Sequence, residues 1–123
     1  MDNNEAFFVD VLKIVPSDID CYISTSNKID DDIVTGMLNN VESQDFDNFI
    51  SLNENNITVF MERLQMSLIV EYFDCLEIRQ NTKLLFRGYD GVESGTISNT
   101  IEVPNWFKEK YKLNWDYSIS SDW

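Results

Sequence analysis

Cys75-Leu76-Glu77-Ile78-Arg79-Gln80-Asn81-Thr82-Lys83-Leu84-Leu85-Phe86-Arg87 is the stretch on which the fold turns. Cys75 to Ile78 and Lys83 to Arg87 are apolar-rich runs flanking Gln80-Asn81-Thr82. Side-chain amides and hydroxyls there bond their own backbone and favour a tight reversal, so the stretch predicts a β-hairpin. The β character starts upstream, at Leu68-Ile69-Val70-Glu71-Tyr72-Phe73, where β-branched and aromatic residues crowd together. Downstream, Gly88-Tyr89-Asp90-Gly91 is turn chemistry, because Asp-Gly tolerates positive φ. Ile97, Asn99, Ile101 and Val103 then alternate with Ser98, Thr100 and Glu102, which predicts another strand. Pro104 ends it and opens a short helix whose Phe107 and Tyr111 share a face. Trp115, Tyr117, Ile119, Ser121 and Trp123 fall on one parity and predict a last strand.

The first half reads differently. Ala6 to Val15 is so densely apolar that periodicity allows either a helix or a strand. Pro16-Ser17-Asp18 makes a turn, and Ile19, Cys21 and Ile23 alternate with Asp20, Tyr22 and Ser24 as a half-buried strand. Asp30 or Asp31 caps a helix bearing Ile33, Val34, Met37, Leu38 and Val41 on one face, with acids at its positive end. Phe46, Phe49 and Ile50 continue helical spacing as far as the turn Asn53-Glu54-Asn55-Asn56. A third helix starts at Ile57, with Phe60, Met61, Leu64 and Leu68 on one face. The expected fold is α+β, a single domain over 1–123, with N-terminal helices packed on a mainly antiparallel sheet formed mostly by the C-terminal half.

Composition excludes more chemistry than it suggests. The 123 residues hold 22 acids, 9 bases and no His, for a net charge of −13. Without imidazole there is no Ser-His or Cys-His pair and no His-ligated metal. Cys21 and Cys75 are too few for a structural zinc site, and their separation reads as two small buried hydrophobes rather than a redox pair. Gly91-Val92-Glu93-Ser94-Gly95 lacks the central Ser of a nucleophile elbow. Asp30-Asp31-Asp32 fails as a calcium loop, since counting back from Gly36 puts Ile33 at a ligand position. Among carboxylate pairs, Asp90 and Glu93 flank a turn and are the candidates for a hydrolase. No cofactor or metal is expected. The N-terminus opens on acids, and its apolar run Ala6-Phe7-Phe8-Val9 is broken by Asp10, unlike a secretory signal. No run approaches membrane-spanning length, so a soluble cytoplasmic protein with no membrane partner is expected.

The charge is lopsided. Residues 1–62 carry 13 acids and two bases, a net −11, whereas residues 63–123 carry nine acids and seven bases, a net −2. Such a surface repels phosphates and attracts a cationic partner over about 8–10 Å. Direct nucleic-acid binding is therefore excluded from the expectations. Trp106, Trp115 and Trp123 cluster near the end with Tyr111 and Tyr117, and an aromatic rimmed by carboxylates suits a basic protein partner.

Leu84 to Val92, Ile97 to Val103, Pro104-Asn105-Trp106-Phe107 and Ser120-Ser121-Asp122-Trp123 resemble the closing strands of small bacterial immunity proteins. These are the cognate inhibitors encoded beside contact-dependent or polymorphic toxins. The resemblance covers residues 68–123 and carries no functional residue with it. It implies a non-enzymatic, cytoplasmic antitoxin that binds one cognate toxin domain, of nuclease type and basic, by tight stoichiometric contact. From charge and aromaticity alone, the partner-binding candidates are Asp30, Asp31, Asp32, Asp45 and Asp47, with Asp90, Glu93 and Trp123 in second place. The alternative is an acidic nucleic-acid mimic that inhibits a DNA- or RNA-binding protein, for example one encoded by a phage. A carboxylate-based hydrolase is the third reading.

Overall fold

The computed structural model describes residues 4–112 and 116–123. Its order is α1 (Asn4–Ile14), β1 (Ile19–Thr25), α2 (Asp32–Met37), β2 (Asn39–Asn40), β3 (Asn48–Leu52), α3 (Ile57–Ser67), a 3-10 turn (Val70–Tyr72), β4 (Phe73–Gln80), β5 (Lys83–Tyr89), β6 (Ser94–Ile97), α4 (Asn105–Tyr111) and β7 (Tyr117–Ile119). The seven strands form one sheet in the order β2-β3-β1-β4-β5-β6-β7. All neighbours are antiparallel except β6 and β7, which run parallel. The α+β architecture and its mainly antiparallel sheet thus agree with the sequence reading. The hairpin β4–β5 closes around Asn81, whose φ of 58° is the left-handed value that an Asn tolerates.

One face of the sheet is covered by helices. Ile19, Cys21 and Ile23 of β1 line up with Leu52 and Ile50 of β3 and with Ile78 and Leu76 of β4, all buried. α1 lies over them between the other helices: Phe8 meets Phe60 of α3 and Phe73 edge-on, while Phe7 meets Phe86, Phe107 and Tyr111. Apolar side chains point almost all round α1, which resolves its ambiguity as a helix buried on most sides. Phe86 needs room on this face, and Gly95 provides it, since a Cβ there would sit 2.4 Å from the ring. α4 is tied to α1 by the buried Asp10, which accepts 2.6 Å from the Tyr111 hydroxyl and pairs with Lys110 at 2.7 Å. Burial, then the bond to Asp10, pushes the Tyr111 hydroxyl well above the ordinary phenol range.

Several expectations are corrected. Phe46, Phe49 and Ile50 do not continue a helix: Asn48–Leu52 is β3, and Ile50 and Leu52 point into the core as alternating strand residues. α2 is a single short helix with only Val34 buried, and Val41 lies beyond it. Leu68 leaves the α3 face and caps it in the left-handed region, φ 54°, half-exposed. Strand β6 stops at Ile97, because Ser98 turns the chain by bonding Thr100. Of the predicted last strand, Tyr117–Ile119 is formed, and Trp115 lies outside the described residues. Cys21 is buried as expected, but Cys75 is exposed. In the β1–β4 register Cys21 faces Ile78 while Cys75 faces Ser24, so the two thiols project from opposite sides of the sheet and cannot pair.

Candidate functional site

Among the described residues, no helix lies on the sheet's second face. The outward residues of the central strands form a ladder across it: Phe49 beside Tyr22, Tyr22 beside Glu77, Glu77 beside Arg87. Tyr22 and Phe49 stack, with centroids 5.7 Å apart and planes at 23°. Phe46, from the β2–β3 loop, closes on Tyr22 at 6.0 Å. The Arg79 guanidinium lies 4.3 Å from the Tyr22 centroid, and Arg87 lies 5.6 Å from that of Trp123.

Glu77 organises the two arginines. Its Oε1 accepts from Arg79 Nε at 3.0 Å and Nη2 at 2.6 Å, and its Oε2 accepts from Arg87 Nε at 3.1 Å. Arg87 is partly buried, which alone would lower its pKa, but Glu77 and then Tyr89 raise it, so the cation is firmly held. Beside them a depression of about 200 Å³ is lined by Asp45, Phe46, Cys75, Glu77, Arg87 and Tyr89. Aromatic rings and fixed guanidinium groups are the side chains that most often anchor protein contacts. Their rotamers are already held by stacking and ion pairing, so less freedom is lost on association.

Carboxylates rim one end of this face. Asp47 accepts from the Thr25 N–H at 3.1 Å and its hydroxyl at 2.7 Å, which fixes the β2–β3 loop at the end of β1. The Asp90 N–H donates to the Asp74 carbonyl at 2.8 Å, at the start of β4. Asp90, Gly91 and Val92 are all left-handed, with φ of 54°, 71° and 54°. Left-handed backbone costs about 1–2 kcal/mol for a residue with a Cβ, and the complete burial of Val92 offsets it. Asp45, Asp47, Asp90 and Glu93 thus lie in the loops at one end of the sheet, all exposed.

Of the residues singled out in the sequence, these four share the rim and Trp123 adjoins Arg87. Asp30 and Asp32 are exposed but sit at the entry of α2, on the helix side. Asp31 is a correction: it is buried and committed inside the molecule. Its Oδ1 accepts from the Ile33 and Val34 N–H groups as the α2 cap, and its Oδ2 binds Arg63 and the Ser67 hydroxyl of α3. Burial opposes ionisation, but Ser67, Val34 and Arg63 outweigh it and hold this carboxyl at about 2. Tyr22, Phe46, Glu77, Arg79 and Arg87 were missed in the sequence. Strand parity carried the signal, since each of the strand residues alternates with a buried neighbour.

Among the described residues no cluster of three or more metal-ligating side chains occurs, and no helix is long and apolar enough to cross a membrane. No protein-family model matches the chain, and no curated protein or solved structure matches it.

Proposed function

We propose that this chain is an immunity protein: a stoichiometric, non-catalytic inhibitor that neutralises a cognate basic toxin domain of nuclease type through the uncovered face of its sheet. The observation that carries the reading is the juxtaposition on that face of an aromatic–arginine ladder and a carboxylate rim. The ladder supplies contact area with little ordering cost, and the rim supplies a field that speeds encounter with a cation-rich cleft. Charge bookkeeping favours the same reading. Among the described residues, six of the nine cations are held by four carboxylates, Asp10, Asp31, Glu77 and Glu109, so most of the acidity is left for the outer surface. Two arginines at the centre of the face distinguish it from an uninterrupted acidic mimic of duplex phosphates, and Asp90 and Glu93 are both solvent-exposed on their turn rather than enclosed as a hydrolase pair.

The test is co-expression with the protein encoded immediately upstream. The reading expects that neighbour to be toxic alone, harmless in the presence of this chain, and recovered with it as a one-to-one complex. A harmless neighbour that forms no complex rejects the reading.

A further inference from the structure

The helical layer carries a second exposed apolar surface, away from the sheet face. Ile33 of α2 is 50% exposed, Met66 of α3 is 71% exposed and Leu68 is 58% exposed. The buried Asp31 brings them together: it caps α2 at Ile33 while gripping Arg63 and Ser67 of α3, and Arg63 in turn reaches the Met66 sulfur at 3.8 Å. The patch is therefore built on a clamp rather than on a loose loop. Leu68 adds a second signal. A helix C-terminus in the left-handed region is the usual place for Gly, yet here a large apolar side chain takes the strained backbone and projects into solvent. Val92 offsets the same strain by burial, whereas Leu68 has no such compensation, and uncompensated departures from local preference mark functional or strained sites.

Charge decides what covers the patch. Exposed Asp30, Asp32, Glu62 and Glu71 each lie within four residues of Ile33, Met66 or Leu68 in the chain, with the exposed base Lys28 five residues from Ile33, and the Arg63 charge is already taken by Asp31. A second copy of this chain would bring another −13 to the same place, which disfavours self-association. We infer that Ile33, Met66 and Leu68 form a second docking surface that takes an amphipathic helix with an apolar stripe edged by lysine or arginine. The inference stands apart from the sheet-face reading and survives its failure.

The test is a titration of the intact isotope-labelled protein with a synthetic Leu/Lys amphipathic helix of about 18 residues, followed by amide NMR shifts. Shifts are expected at Ile33, Met66 and Leu68 and not at Tyr22, Arg79 or Trp123. Met66→Glu should weaken binding about tenfold even though it makes the protein more acidic, because a buried apolar contact is lost. Leu68→Gly should raise the melting temperature by releasing backbone strain while weakening binding about threefold, a pairing that a purely structural role for Leu68 does not produce. Unchanged or tighter binding by Met66→Glu means that charge alone attracts the peptide and overturns the inference. So do shifts centred on the sheet face, or a dimer in sedimentation that Met66→Glu dissolves.

Discussion

Two arginine–carboxylate clusters sit in this molecule and do opposite things. At Asp31 the carboxylate side chain is 0% exposed and every bond it makes points inward, to a helix N-terminus, to Ser67 and to Arg63. At Glu77 the carboxylate is 13% exposed, but its partners Arg79 and Arg87 are 33% and 41% exposed and lie against Tyr22 and Trp123. The chemistry is the same and the surroundings differ. Where the carboxylate is sealed from water, as at Asp31 beside a 27% exposed Arg63, breaking the pair strands a charge; where both partners reach water, the pair contributes little to stability. The difference separates a structural use of charge from the recognition use proposed for the sheet face.

The largest effect is expected at the buried cluster. Asp31→Ala should cost about 3 kcal/mol, combining a lost N-cap with a partly buried Arg63 left without its carboxylate. Chemical denaturation would read it, and a loss below about 1 kcal/mol would put the two clusters in one class. The pH dependence has a fixed sign. The Asp31 carboxyl is lowered from 3.8 to about 2 on folding, so its contribution is complete above the unfolded value and drains away as pH falls toward 2. An acid titration of the wild type minus that of Asp31→Ala should isolate this window.

A smaller contrast lies between neighbouring residues on opposite sheet faces. Gly95→Ala drives a methyl into the Phe86 ring and should cost about 2 kcal/mol, whereas Thr96→Ala on the uncovered face should change stability by less than about 0.5 kcal/mol. Equal losses would mean that both faces are packed. Smaller again is Glu77→Gln, expected to cost under about 1 kcal/mol in thermal melts while releasing Arg79 and Arg87 from their fixed geometry. The smallest change uses the two thiols. Cys21 is fully buried, and that burial, with Asp20 beside it, raises the thiol far above its usual range, so it should stay inert in the native state. Exposed Cys75 should accept a maleimide, detected by mass spectrometry as a single adduct with the melting temperature unchanged.

What the sequence made legible follows the same division. Residues whose neighbours lie close in the chain were read correctly: the β4–β5 hairpin, the alternation of β1, the α3 stripe of Phe60 and Leu64, and the shared face of Phe107 and Tyr111. Phe46, Phe49 and Ile50 misled because spacings of three and one mimic a helix; β3 is decided instead by pairing with β1, which is remote in sequence. Ile97 to Val103 alternates well, yet Ser98 bonds locally and ends the strand. The ladder stayed hidden for a related reason. Glu77 and Arg87 face each other across the β4–β5 hairpin, but Tyr22 and Phe49 join them only because β1 inserts between β3 and β4, an order that no local pattern encodes. The rim acids were legible as charge, but nothing local set Asp31 apart from Asp30 and Asp32, since its burial depends on Arg63 and Ser67 arriving from α3.

The proposed function requires the uncovered sheet face to be where a cationic protein is captured. The direct measurement is the stopped-flow association rate with the upstream-encoded partner, across rising sodium chloride, for the native protein and for the Cys75 maleimide adduct. The native rate should fall by about tenfold or more between low and high salt, as the acidic field is screened. The adduct, with its bulk beside Glu77, Arg87 and Tyr89, should fail to capture at any salt concentration. A rate indifferent to salt, together with an adduct that binds as well as the native protein, would contradict the assignment.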